Sequence, residues 1–152
     1  MSDFVAANQV FLDMPVCPKT DALQFLSERA VELGLADDVA AVRAAYDARE
    51  EEGSTGMTDG MAVPHAKCAA IKRAAVIVIR FDGTVDDWET IDGSKVDLAI
   101  SLLVPEAEAG STHLQLLAKV ARAMMDEAFR TGMREATDPA QVAQIINARL
   151  EA

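Results

Sequence analysis

Histidine and cysteine are both scarce in this chain, with two of each among 152 residues. The cysteines, Cys17 and Cys68, stand far apart and form no CxxC pair, which argues against a disulfide or zinc framework and for a reducing compartment. The histidines, His65 and His113, show neither HxxxH nor HxH spacing. A metal enzyme built on them with a carboxylate such as Asp59 therefore has no support in the pattern, and no metal or organic cofactor is expected. Long apolar runs are missing as well. The longest, "AAVIVI" and "LAISLLV", fall far short of the roughly 20 residues that a membrane span needs. The start, "MSDFVAANQV", has no basic region followed by a long apolar run, so no signal peptide is expected and the reading is a soluble cytoplasmic protein. Positive charge is in the minority, with a net charge of −11. That makes nucleic acid a poor partner, because phosphate contacts need clustered Lys and Arg. It suits docking on a basic protein surface, although most of these carboxylates read as a solvated face that keeps the chain soluble. There is no repeat, low-complexity segment or long linker.

What is present is a chain that is 51% apolar, enough for a real core, and of a length that suits one domain spanning 1–152. The apolar period alternates between helix and strand. "TDALQFLSERAVELGLA" reads as a helix with Thr20 or Asp21 as cap and Gly34 as stop. "ADDVAAVRAAYDAREEEG" repeats the plan, with Asp37 or Asp38 at its start and Gly53 at its end. The β-branched run 74–81 and the run 96–104 read as buried strands, the second ended by Pro105, and "NQVFLDM" as a further strand near the start. "STHLQLLAKVARAMM" is a helix with a Thr112–Gln115 capping-box pattern and an expected apolar face of Leu114, Leu117, Val120 and Ala121. "DEAFRTGMREA" gives another helix, and "DPAQVAQIINARL" closes the chain with Asp138 as cap and Pro139 at the first helical position. The sum is an α/β single domain, a sheet covered by α-helices on both faces.

Chemistry concentrates in "REEEGSTGMTDGMAVPHAK", residues 49–67. Pro64 excludes a helical hydrogen bond and biases Val63 toward extended geometry, so His65 is held on a stiff backbone just past a glycine-rich loop. Such a loop offers backbone N–H groups to an anion, and the Ser54 and Thr55 hydroxyls add donors. His113 falls in the first turn of a helix, where the partial positive charge favours a neutral ring. Both histidines lie on connections that can meet in a crevice at strand ends. With Arg49 at the edge of the loop, the set fits phosphoryl chemistry on histidine: a neutral imidazole is the nucleophile, and arginine and N–H donors stabilise the anionic group. Each residue also has a plainer reading. Arg49 is an ordinary solvated arginine, "GSTG" a helix stop and turn, and a helix-start histidine a cap. Cys68 is unactivated. Trp88 packs at an edge or fills a pocket in preference to stacking on a sugar, and Met124 and Met125 fill a core or partner surface.

Taken in order, "REEEGSTGMTDGMAVPHAK", "DDWETIDGSKVDLAISLLVPE" and "THLQLLAKVARAM" closely resemble the IIA component of the fructose/mannitol class of the bacterial phosphotransferase system. The resemblance implies a mixed sheet flanked by helices. It implies that His65 accepts a phosphoryl group through Nε2 from the phosphocarrier HPr and passes it to the cysteine of a IIB domain, feeding a IIC membrane channel. On the same footing, His113 is the second active-site histidine, Arg49 the arginine beside it, and Ser54 and Thr55 the lining loop. Many relatives carry glycine where this chain has Ala66. Ala66, Lys67 and "DDWETIDG" lean toward the fructose type. A nitrogen-regulatory relative uses the same fold and histidine to signal, and its usual "F-x-A" segment is absent here. An apolar surface ringing His65, with Met57 and Met61, is expected to dock both partners.

Overall fold

A computed structural model describes residues 4–108 and 111–151; the side chains at 108 and 111–113 lie outside the description. The element order is β1 (Val10–Met14), α1 (Lys19–Glu32), α2 (Val39–Glu51), β2 (Met61–Ala62), β3 (His65–Cys68), β4 (Ala75–Glu89), β5 (Lys95–Pro105), α3 (Ser111–Met124), α4 (Glu127–Glu135) and α5 (Pro139–Glu151). The sheet runs β1-β4-β5-β2, with β3 also on β5. It is mixed: β4 and β5 are antiparallel, whereas β1 on β4, and β2 and β3 on β5, are parallel.

β-Branched and aliphatic residues make β4 and β5 a central pair buried on both faces. Val76, Val78, Leu98, Ile100 and Leu102 face a core shared with residues of α3, α4 and α5, including Val120, Phe129 and Ile146. Ala75, Ile77, Ile79, Ala99 and Leu103 face the opposite core, shared with α1 and α2 through Leu26, Val42 and Tyr46. Alternation along the strands thus produces a helical layer on each side, as the sequence pattern implies.

Strand β4 runs eight residues beyond the β-branched stretch, to Glu89. In that extension only Val85 and Trp88 are buried, so it lacks the apolar run that marks 74–81, while pairing with Val96 and Lys95 of β5 keeps it extended. The start of α1 is also different from expectation. Pro18 is the N-cap and Lys19 the first helical residue, so neither Thr20 nor Asp21 caps it. The Lys19 N–H is instead met by Asp87 at 2.9 Å, a tertiary partner that no local pattern signals. Asp38 caps α2 by accepting from the Ala41 N–H at 3.1 Å, and Asp138 serves α5 through the Gln141 N–H at 3.0 Å. On α3 the buried face is Leu116, Val120, Ala123 and Met124, while Leu114 is 64% exposed. Leucine and alanine are spread so widely around this helix that several stripes are available, and packing selects one. The Thr112 side chain of the expected capping box lies outside the described residues.

Candidate functional site

His65 opens β3, in register with Leu102 of β5, at the point where Val63 and Pro64 break the edge strand into β2 and β3. It is therefore on a strand and not on a connection. The break leaves the Val63 carbonyl outside the ladder, and His65 Nδ1 lies 3.0 Å from it. A carbonyl only accepts, so Nδ1 carries the proton and Nε2 holds the lone pair. Arg49, in the last turn of α2, donates its Nε–H to that Nε2 at 3.1 Å and a terminal N–H to the Gly53 carbonyl at 2.8 Å. His65 as a whole is 6% exposed. Its outer side opens into a cleft of about 300 Å³ lined by Ala45, Ala48 and Arg49 of α2, Glu52 at the C-cap of that helix, His65 and Lys67 of β3, and Leu117 of α3. The arrangement offers one imidazole nitrogen with a defined lone pair, a guanidinium beside it and a lysine at the rim, which is a setting for an anionic electrophile.

The glycine-rich loop is tied into the protein through much of its length. The N–H groups of Thr55, Gly56, Asp59 and Gly60 donate to the side chains of Glu50, Ser54, Asp92 and Ser94, and that of Met57 to the Met61 carbonyl. The Ser54 hydroxyl donates to the Glu89 carbonyl at 2.7 Å, and the buried Thr55 hydroxyl to Glu50 at 2.5 Å. A Cβ on Gly56 would overlap the Glu89 carbonyl, so only glycine lets the loop lie this close to the end of β4. The loop is a brace that fixes the backbone leading to His65.

His113 is in the first turn of α3, four residues before Leu117; its side chain lies outside the described residues. Met61 is fully buried and Met57 packs against a core, so Met61 contributes nothing to a docking surface. Trp88 is fully buried, leaving no ring face for a sugar. Asp59 is taken up by ion pairs to Arg130 at 3.0 Å and Arg134 at 2.9 Å. Burial, then Asp21 and Asp87, push the Cys17 thiol above its usual value, which keeps it protonated and poorly nucleophilic. Glu50, Glu52, Lys67 and Leu117 are further neighbours of the site that carry no motif of their own in the sequence. Positions 45, 48, 49 and 52 recur at helical spacing and face the cleft together, a signal present in the sequence once α2 is known to border His65.

The family model described as phosphoenolpyruvate-dependent sugar phosphotransferase system, EIIA 2, matches residues 3–149. The chain belongs to this EIIA family. Among its curated relatives, a nitrogen regulatory protein of Bradyrhizobium diazoefficiens is 32% identical over 96% of this chain and 94% of its own. A fructose-specific EIIA component of Haloferax volcanii is 33% identical over the same shares. A 2-O-alpha-mannosyl-D-glycerate-specific EIIABC component of Escherichia coli is 35% identical over 80% of this chain, which spans only 18% of that protein's length. The crystal structure of nitrogen regulatory protein IIA-Ntr from Neisseria meningitidis superposes with a TM-score of 0.86 at 30% identity, covering 94% of this chain and 96% of that one. An EIIA domain is a phosphotransfer component, and membership supports a phosphoryl-carrier role here. The relatives divide between sugar-specific and regulatory EIIA proteins. Among the described residues no helix is long and apolar enough to cross a membrane.

Proposed function

We propose that His65 Nε2 is the phosphoryl acceptor of a cytoplasmic phosphotransferase-system domain spanning residues 1–152. The observation that carries this reading is the ring held from both sides, Nδ1 on the Val63 carbonyl and Nε2 against Arg49, at the floor of an open cleft. In the forward step the Nε2 lone pair forms an N–P bond as the N–P bond of the HPr phosphohistidine breaks, and the electron pair leaves with the donor imidazole. Arg49 shifts its N–H donation from Nε2 to the phosphoryl oxygens, and His113 adds a further hydrogen bond to them. Because Val63 retains the Nδ1 proton, the phosphorylated ring is cationic and a good leaving group for the next transfer. The loop carrying Ser54 and Thr55 holds this geometry. No metal or cofactor takes part, since both partners of the exchange are imidazoles, and no nucleic acid is involved.

The acceptor is a IIB cysteine, upstream of a IIC membrane channel, and the cargo is fructose or a related sugar. The identity to a fructose-specific EIIA component and the Ala66–Lys67 pair after the Pro-His motif favour that choice. A second reading, a regulatory EIIA that signals through its phosphorylation state, is favoured by the likeness to nitrogen regulatory proteins over almost the whole chain.

Incubation with phosphoenolpyruvate, enzyme I and HPr, followed by intact mass at neutral and acid pH, tests the acceptor. One acid-labile phosphoryl group is expected, absent in His65→Ala; labelling of that variant at the normal rate would refute the assignment. Adding a fructose-type IIB then separates the readings: the carrier is discharged onto the IIB cysteine, whereas the regulatory form keeps its phosphoryl group.

A further inference from the structure

Glu50 follows Arg49 in α2 and points away from the cleft, into the protein. Its side chain is 10% exposed. One carboxylate oxygen accepts the Thr55 hydroxyl at 2.5 Å; the other accepts the Thr55 N–H at 3.3 Å and pairs with Lys19 Nζ at 2.5 Å. Lys19 opens α1 and sits 5.7 Å from the centre of the buried Trp88 ring. A nearly buried carboxylate needs such compensation on both oxygens, and a hydroxyl, an amide and an ammonium supply it. The contacts continue toward the histidine. The Thr55 carbonyl accepts the Val63 N–H at 3.0 Å, and the Val63 carbonyl accepts from His65 Nδ1 at 3.0 Å. Pro64, between them, has no N–H to contribute and a fixed φ, so the direction of the Val63 carbonyl depends on how Val63 is held.

We propose that Glu50, clamped by Lys19, is a positioning residue that fixes the tautomer and orientation of His65 through Thr55 and the Val63 carbonyl. Consecutive residues of α2 then address the two ring nitrogens. Arg49 meets Nε2 directly, and Glu50 governs Nδ1 through Thr55 and Val63. The residue never touches the transferred group. Its effect is to keep the proton on Nδ1, so that Nε2 presents its lone pair to the cleft. The inference rests on the acceptor role proposed for His65, but the state of the ring can be read without any transfer.

The test uses the full ¹⁵N-labelled chain, with His65 ring signals identified by their loss in His65→Ala. Long-range ¹H–¹⁵N spectra should show the wild-type ring protonated at Nδ1. Glu50→Gln and Thr55→Val should give a mixture of tautomers and slow single-turnover phosphorylation from HPr about tenfold or more, the scale typical of partners that orient a functional histidine. Thr55→Ser, which keeps the hydroxyl, should restore both readouts, and Glu51→Gln, an exposed neighbour, should change neither. Thr55→Val keeps the branched shape of the side chain and carries the test should Glu50→Gln fail to fold. An unchanged tautomer and rate in a folded Thr55→Val variant would overturn the proposal. A wild type that takes up no phosphoryl group, with the tautomer still shifting in the variants, would overturn the acceptor reading and leave the positioning role standing.

Discussion

Tyr46 and Ser101 share a 2.5 Å hydrogen bond in the interior, and both side chains are fully buried. Burial pushes the Tyr46 phenol well above its ordinary value, against the smaller lowering effect of the Ser101 hydroxyl, which favours the neutral group. The bond joins α2 to β5 one helical turn before Arg49. It ties α2 to the sheet close to the arginine that meets His65. Tyr46→Phe strands the Ser101 hydroxyl in an apolar core and should lower stability by about 1–3 kcal/mol. The urea midpoint checks this; an unmoved midpoint would mean that the pair contributes no net stability. At this scale His65, His113, Arg49, Ser54 and Thr55 can be picked out of the sequence as candidates, because proline, glycine and helix-start signals are local. Glu50 cannot, since "REEEG" gives three similar glutamates and only the fold buries one of them against Thr55.

The β4–β5 turn shows how an element can hold a loop that is distant in sequence. Asp92 accepts from the Ser94 hydroxyl, the Ser94 and Thr90 partners in its own turn, and the Asp59 N–H of the site loop. The Ser94 hydroxyl first, then the Asp59 and Ser94 N–H groups and the Thr90 hydroxyl, hold its carboxyl well below the usual carboxylate range. A depressed folded-state value means stability present in full above the unfolded value, about 3.9, and lost as pH falls through the folded one. The melting temperature of Asp92→Asn should therefore trail the wild type by a constant gap near neutrality and approach it as the pH drops below about 4. A gap that is the same at every pH would show that the charge is not what holds the turn. Elements with a strong period and a local cap, such as α2 and α5, are legible in the sequence with their starts. The end of β4 and the start of α1 are not, because Val96 and Asp87, their partners, come from elsewhere in the chain.

Across the whole molecule the formal charge of −11 acts on encounter and leaves the fold unspecified. If the proposed donor, HPr, presents a basic surface, phosphoryl transfer from it should be steered, and its second-order rate should fall about tenfold or more as ionic strength rises from about 0.05 M to about 0.5 M. Stopped-quench kinetics measure this, and a salt-independent rate would assign the negative charge to solubility alone. The mixed five-stranded sheet places α2, β3 and α3 around one cleft, joining Arg49, His65 and Leu117 across the chain.

The sequence by itself determined the alternation of helices and strands, the two-sided core and the stiff Val63–Pro64–His65 backbone, because apolar period, β-branching and proline geometry act between near neighbours. It also identified the histidine around which the chemistry is proposed. Only the tertiary structure decided which groups meet that histidine. The N–H groups of Thr55, Gly56, Met57, Asp59 and Gly60 bond inside the protein, so this part of the glycine-rich loop is a brace, and Glu50 lies beneath it. Met61 and Trp88 lie in the cores, and one stripe of α3 is buried among several available. Lys19, Asp92 and Ser94, which hold Glu50 and the loop, stand tens of residues away in the chain, and close packing between layers selects among placements that local sequence leaves equally open.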